Sequence, residues 1–211
     1  MPKIYSEEER RDIVNRLKAE ANILMLEKGV KKTTVDELVK RAGIPKGTFY
    51  LFYPSKEMLL FDCAQDFHEE VDEYVSQGLT RIMERQNPKT NKSSDSTEYI
   101  DEVVDVIMGA VEITQNSCLR VLLEPESMNL VLSKLPEDVL EKHRQEDSNR
   151  GEKIIEAFAA KNGISVEELS GAFTMILFGT MYKQVVGENV IEGSTRLLVR
   201  GLVKQLFEGI R

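Results

Sequence analysis

The stretch AGIPKGTFYLFYPSKEMLL, at residues 42–60, combines side chains that bind phosphate with side chains that build a core. Lys46 offers a positive charge to a phosphate or to a guanine edge, and Gly47 lets a ligand approach the backbone closely. Thr48 offers a hydroxyl to a base and a methyl group to a thymine. These residue types predict a surface that binds a polyanion, with no group suited to bond breaking.

The four aromatic rings of this stretch divide into two groups when it is read as a helix. Phe49 and Phe52 are three positions apart and are predicted to face the core. Tyr50 and Tyr53 are predicted to lie on the other side, where a phenol can reach a phosphate oxygen, and Lys56 adds a neutralising charge at the start of the next helix. The predicted helix is therefore apolar behind and polar in front.

Cap and stop signals predict the helices that position these residues. Ser6 with Glu9 forms the S-x-x-E capping box that opens a first helix, and Gly29 is predicted to end it. Thr34 opens a second helix in the same way, and Gly43 is its stop signal. A third helix follows to about residue 52, and two short helices joined through a glycine turn form the outline of a helix-turn-helix.

Helical periodicity continues through the rest of the chain, so the predicted fold class is all-α, with about nine helices. A long fourth helix spans roughly 55–85, and Gly78 inside it is either a packing glycine or a kink. The predicted domains are 1–54, a helix-turn-helix DNA-binding domain, and 55–211, a larger helical ligand-binding and dimerisation domain.

Charge is segregated along the chain. The whole sequence has a formal net charge of −8, yet residues 1–56 hold 12 Lys and Arg against 8 Asp and Glu. The remainder holds 16 against 28. A basic head on an acidic body indicates that only the head meets a polyanion.

The sequence also limits the compartment. Cys63 and Cys118 are too few and too far apart for a disulfide framework, and no signal peptide or membrane-spanning run is apparent. We expect a cytoplasmic protein with no membrane partner. Cys63 is interpreted as a small buried residue, with a thiol sensor as the alternative.

The segment TTVDELVKRAGIPKGTFYLFYPSKEMLL, residues 33–60, resembles the DNA-binding segment of the tetracycline-repressor (TetR) family of bacterial transcription regulators. The similarity extends over residues 6–62, about a quarter of the chain. It implies a repressor that binds a palindromic operator in double-stranded DNA as a homodimer, and that a small apolar effector releases. It also implies a phosphate contact for Thr34. The predicted DNA contacts are Thr34, Lys46, Gly47, Thr48, Tyr50, Tyr53 and Lys56.

The last two predicted helices, 165–186 and 192–209, are too apolar for one buried face each. A symmetric four-helix bundle between two copies would bury them, as the family resemblance also implies. The alternative is a monomer that buries both helices internally.

Methionines and aromatic residues of the body are suited to an adaptable apolar pocket for the effector, although each of them is also an ordinary core residue. The residues predicted to line the pocket are Phe67, Met83, Met108, Met128, Phe158, Met175, Phe178 and Tyr182.

The sequence argues against two other classes of protein, an enzyme and a protein-binding adaptor. An enzyme needs a reactive constellation, and the sequence contains no phosphate loop, G-x-S-x-G or H-E-x-x-H motif. His68 and Asp72, in HEEVD, could hold a metal but also fit an exposed helical charge run. We therefore predict no catalytic residue, metal or cofactor. A protein-binding adaptor would explain the acidic body but not the basic head.

Overall fold

The computed structural model describes residues 5–85, 96–146 and 164–208, and all regular structure in these ranges is helical. The all-α prediction is confirmed. The helices are α1 Glu7–Lys32, α2 Val35–Ala42, α3 Lys46–Phe52, α4 Lys56–Arg85, α5 Ser96–Asn116, α6 Leu119–Leu122, α7 Pro125–Leu132, α8 described over 137–146, α9 Val166–Met181, α10 Lys183–Val186 and α11 Ile191–Glu208.

The described part of the chain contains eleven helices rather than the predicted nine, because two predicted helices are each interrupted. Pro125 is the first residue of α7, where its missing N–H costs no hydrogen bond, so the segment before it forms the separate short helix α6. Tyr182 has φ −91° and ψ 43°, which ends α9 before α10 begins. Neither break changes the fold class.

Contacts divide the chain into two units. The first contains residues up to 69 together with 116–140, and the second contains 70–115 and the residues from 141 onward. The division between residues 69 and 70 falls inside α4. The first part of α4 belongs to the first unit, because Leu59, Leu60 and Cys63 are buried in its core. The predicted boundary at residue 54, between a DNA-binding and a ligand-binding domain, remains a prediction.

The first unit is built around α1, which packs against α2, α6 and α7. Leu17, Leu24 and Phe49 are fully buried in its core. The predicted stop signal at Gly29 marks a real break in α1, because the backbone there is not helical. Gly29 has φ 80° and ψ 170° and kinks the helix, which then continues to Lys32.

The second unit has a core formed by α4, α5 and α11, in which Val104 and Val203 are buried. Gly78 of α4 is a packing glycine, because a Cβ built there would lie 2.7 Å from a methyl carbon of Val106. Arg196 of α11 donates a hydrogen bond to Asp105 of α5 at 2.6 Å.

Candidate nucleic-acid interface

The turn between α2 and α3 fixes where the third helix starts. Gly43 has φ 65° and ψ 37°, a left-handed conformation that glycine adopts without steric cost. The N–H groups of Gly43 and Ile44 both donate to the Val39 carbonyl, which closes the end of α2. Pro45 then has φ −64° and serves as the N-cap of α3, so α3 begins at Lys46.

Helix α3 has one buried face and one exposed face. Thr48 and Phe49 are buried and Phe52 packs against the same core, as predicted for the two phenylalanines. The residues exposed to solvent on α3 are Lys46, Gly47, Tyr50 and Leu51. At about 100° per residue these four cover one continuous side of the helix, opposite to the core.

Three predicted contacts lie on this exposed surface. The Lys46 ammonium forms an ion pair with Asp36 at 2.8 Å, and this hydrogen bond raises the pKa of Lys46. Tyr50 is half exposed, with its ring edge against Phe49. A Cβ built on Gly47 would meet nothing within 4 Å, so the backbone is open to close approach.

Thr34 is also exposed and caps α2, because its hydroxyl accepts the N–H of Glu37 at 3.4 Å. The predicted cap is confirmed. The phosphate contact that the resemblance implies for Thr34 remains a prediction.

Thr48 does not lie on the exposed face. Its side chain is buried, and its hydroxyl shares a hydrogen bond with the Tyr5 hydroxyl at 3.1 Å. The predicted use of this hydroxyl on a base conflicts with its position, because Thr48 shares the inward side of α3 with Phe49 and Phe52.

The predicted outward orientation of Tyr53 is wrong. Tyr53 is buried against Phe49, and its hydroxyl donates to Asp62 Oδ2 at 2.6 Å. Burial, followed by this hydrogen bond, raises the pKa of the phenol. Lys18 completes the network through ion pairs with Asp62 at 2.9 Å and with Asp66 at 2.8 Å. The network joins the end of α3 to α1 and α4.

Lys56 is likewise directed into the protein. Its ammonium donates to the carbonyls of Val30 at 2.9 Å and Thr33 at 2.7 Å, at the carboxyl end of α1. Burial lowers the pKa of Lys56. This charge therefore caps a helix end, and its predicted role toward phosphate conflicts with that position.

Sequence reasoning missed Leu51, the fourth residue of the exposed face. It is 55% exposed, the largest fraction among the large apolar side chains described in the first unit. Its position one helical turn after Gly47 could have identified it.

The predicted effector-binding residues lie in different local surroundings. Phe67 packs against the core of the first unit, and Met108 packs against that of the second. Met175, Tyr182 and Met83 are exposed, whereas Met128 and Phe178 are partly buried. Phe158 lies outside the described residues. The position of a pocket remains a prediction.

The helices predicted to dimerise expose apolar side chains in the second unit. Met175 of α9 and Leu197 of α11 are each 71% exposed. Each lies midway between two glycines, in the series Gly171-Met175-Gly179 and Gly193-Leu197-Gly201. A Cβ at any of these four glycines would meet nothing within 4 Å. We call these six residues the glycine-flanked surface.

Within residues 5–85, 96–146 and 164–208 there is no group of three or more metal-ligating side chains and no helix that is long and apolar enough to cross a membrane.

The first unit contains two short helices, α2 and α3, joined by a glycine turn. This arrangement places the protein in the class of helix-turn-helix proteins. Residues 18–63 match the family model described as bacterial regulatory proteins, tetR family. This match covers about a fifth of the chain, so the similarity to that family model is confined to the predicted DNA-binding segment. Two relatives of Bacillus subtilis, YuxN and YdgC, are described as uncharacterized HTH-type transcriptional regulators.

Individual relatives are distant. YuxN, an uncharacterized HTH-type transcriptional regulator of Bacillus subtilis, is 26% identical over 185 residues, which cover 85% of this chain and 60% of YuxN. Bacillus subtilis FadR, solved in complex with stearoyl-CoA, is 18% identical with a TM-score of 0.53 over 96% of this chain and 100% of FadR. RolR, solved with resorcinol, is 19% identical with a TM-score of 0.50 over 95% of this chain and 97% of RolR. These structures establish the similarity of fold.

Proposed function

We propose that this protein is a dimeric transcription repressor that binds a palindromic operator and is released by a small apolar effector. The observation that carries the proposal is the exposed face of α3. A helix that is core on one side and presents Lys46, Gly47 and Tyr50 on the other is suited to the major groove of DNA.

Three lysines of the first unit support the exposed face of α3 as the DNA-binding surface. Lys18 and Lys56 are held by internal partners, so they serve the fold. Lys46 is 51% exposed, and its ion pair with Asp36 is a surface pair, which contributes little to stability. Lys46 can therefore leave Asp36 and bind a phosphate or a guanine edge at small cost. Tyr50 and Thr34 offer hydroxyl groups for phosphate oxygens.

The proposed operator is a palindrome because a dimer with two-fold symmetry presents the same recognition helix to each half of the site. Two recognition helices reach successive major grooves only when they are about 34 Å apart, the length of one turn of DNA. The glycine-flanked surface supports dimerisation through α9 and α11, because bare glycine positions beside exposed apolar side chains allow helices to pack closely.

The effector is proposed to favour the conformation whose recognition helices do not match the operator. The ligands bound by FadR and RolR, stearoyl-CoA and resorcinol, provide the first two chemical classes to screen. A true effector should raise the unfolding temperature of the protein and weaken its operator binding together.

The test is selection from a random duplex library by the purified dimer, followed by sequencing and titration of the enriched site at several salt concentrations. We expect an enriched palindrome and an affinity that falls steeply with salt. In Lys46→Ala, the magnitude of the salt slope should decrease by about one per subunit. Lys183→Ala, which removes an exposed lysine of α10, is the matched control and should bind like the wild type. Failure of a folded dimer to enrich any sequence at low salt would reject the proposal.

A further inference from the structure

Leu51 is an apolar side chain on a face that is otherwise suited to phosphates and polar base edges. On the helical wheel of α3, Lys46 and Tyr50 lie on one side of the exposed face, and Gly47 and Leu51 lie on the other. Leu51 is 55% exposed and Tyr50 is 51% exposed, so both side chains are available to a ligand. Leu51 is not part of the core of the first unit.

Gly47 opens the space beside Leu51. Helical side chains lean toward the amino terminus, so the Leu51 side chain extends along the helix surface toward the turn that contains Gly47. A Cβ at Gly47 would meet nothing within 4 Å, and glycine places no side chain there. A flat group can therefore approach the backbone at Gly47 and contact the Leu51 methyl groups from the side.

The major groove of DNA contains one apolar group, the 5-methyl group of thymine. We propose that Leu51 is a specificity-determining residue that contacts a thymine methyl group in each operator half-site, beside the notch at Gly47. This inference rests on the proposed DNA-binding function and names the base that this side of α3 reads.

The test replaces single thymines of the selected operator by deoxyuridine, which removes the methyl group and keeps the base pair. At one position per half-site, wild-type affinity should fall about fourfold, the effect of one methyl group withdrawn from water. Leu51→Ala should bind the thymine operator more weakly and should no longer distinguish thymine from uracil at that position. Leu26→Ala, which changes an exposed leucine of α1, is the matched control and should keep the discrimination.

A second measurement changes which base is preferred instead of removing the preference. Leu51→Gln, selected on the same random library, should exchange the preferred thymine for adenine at the same position and leave the other positions unchanged. Wild-type protein that binds its operator but is indifferent to every uracil substitution would overturn the inference while the proposed function stands. Discrimination that persists in Leu51→Ala would also overturn it. A wild type that enriches no sequence would reject the proposed function and this inference together.

Discussion

At the residue scale, the Tyr53 hydroxyl anchors the carboxyl end of α3. It donates to Asp62 at 2.6 Å, and Asp62 is also paired with Lys18. Tyr53→Phe keeps the ring and removes only this hydrogen bond. We expect the free energy of unfolding to fall by about 1 kcal/mol, because the partially exposed carboxylate of Asp62 can recover water. Urea denaturation measures this loss.

Tyr50→Phe is the matched control for that substitution, because the Tyr50 ring is half exposed and its hydroxyl is not needed by the core. It should leave the urea midpoint unchanged. Equal stability of the two variants would show that the bond from Tyr53 to Asp62 contributes nothing in solution.

The buried thiols predict alkaline sensitivity. Burial raises the pKa of Cys118 from 9.0 to about 12, and burial also raises the pKa of Cys63. The unfolded chain releases these protons near pH 9 while the folded chain keeps them, so stability is complete below that pH and decreases above it. For both thiols together we expect a loss of about 2 kcal/mol between pH 9 and pH 10.

Urea titrations at the two pH values, under reducing conditions, measure the loss. The variant with Cys63→Ala and Cys118→Ala should have a lower stability at pH 7 but a smaller decrease between pH 9 and pH 10. An unchanged decrease in that variant would assign the alkaline sensitivity to other groups.

Residues of this site differ in how far sequence could predict them. Thr34 and Gly43 were predicted because a helix cap and a glycine stop are local signals. Tyr53 was misplaced because the helical wheel puts it beside Lys46, whereas the chain has already left the helix there, with φ −133° and ψ 124°. Lys56 was misplaced because its partners, Val30 and Thr33, are distant in sequence.

At the scale of elements, α4 and α5 cross where glycine removes a side chain. Val106 lies over Gly78, and Tyr74 lies over Gly109. Sequence left Gly78 open as a packing glycine or a kink, because the residue that occupies the space is on another helix. The ends and faces of a helix can be predicted from its own sequence. How closely two helices pack where they cross depends on the side chains of both.

Because α4 and α5 pack closely at Gly78, we expect a substitution at this position to destabilise the protein. Gly78→Ala places a Cβ 2.7 Å from a methyl carbon of Val106, a short β-branched side chain with little freedom to move. Overpacking costs about 1 to 3 kcal/mol and should exceed the gain in helix propensity of about 1 kcal/mol. We therefore expect a lower thermal unfolding temperature. Gly47→Ala, where a Cβ meets nothing, should not lower it.

Combining Gly78→Ala with Val106→Ala identifies the cause. If overpacking is responsible, the double variant should be more stable than the sum of the two single losses indicates, because removing the valine methyl groups makes room for the new Cβ. Additive losses would contradict the steric explanation.

At the scale of the whole molecule, the glycine-flanked surface leaves large apolar side chains of one chain exposed to solvent. Besides Met175 and Leu197, the side chain of Leu198 is 59% exposed. An exposed apolar surface of this kind marks an interaction site. In the proposed dimer, a second copy would cover it with an identical surface across a two-fold axis. The sequence predicted the excess of apolar residues, but only the structure shows which of them one chain leaves exposed.

Leu197→Glu therefore tests the dimer and its link to DNA together. In the proposed dimer, the substitution places a buried, unpaired carboxylate on each side of the interface, so we expect a monomer at micromolar concentration. Sedimentation velocity measures this change. Leu26→Glu adds the same charge to an exposed leucine of α1 and should remain a dimer.

The monomer should still be helical by circular dichroism, because Leu197 is 71% exposed within one chain and its substitution leaves the core intact. Its affinity for the full palindrome should fall to that for a single half-site, since one recognition helix then binds without its partner. A Leu197→Glu protein that remains dimeric would place the interface elsewhere. A monomer that binds the palindrome like the wild type would separate dimerisation from operator recognition.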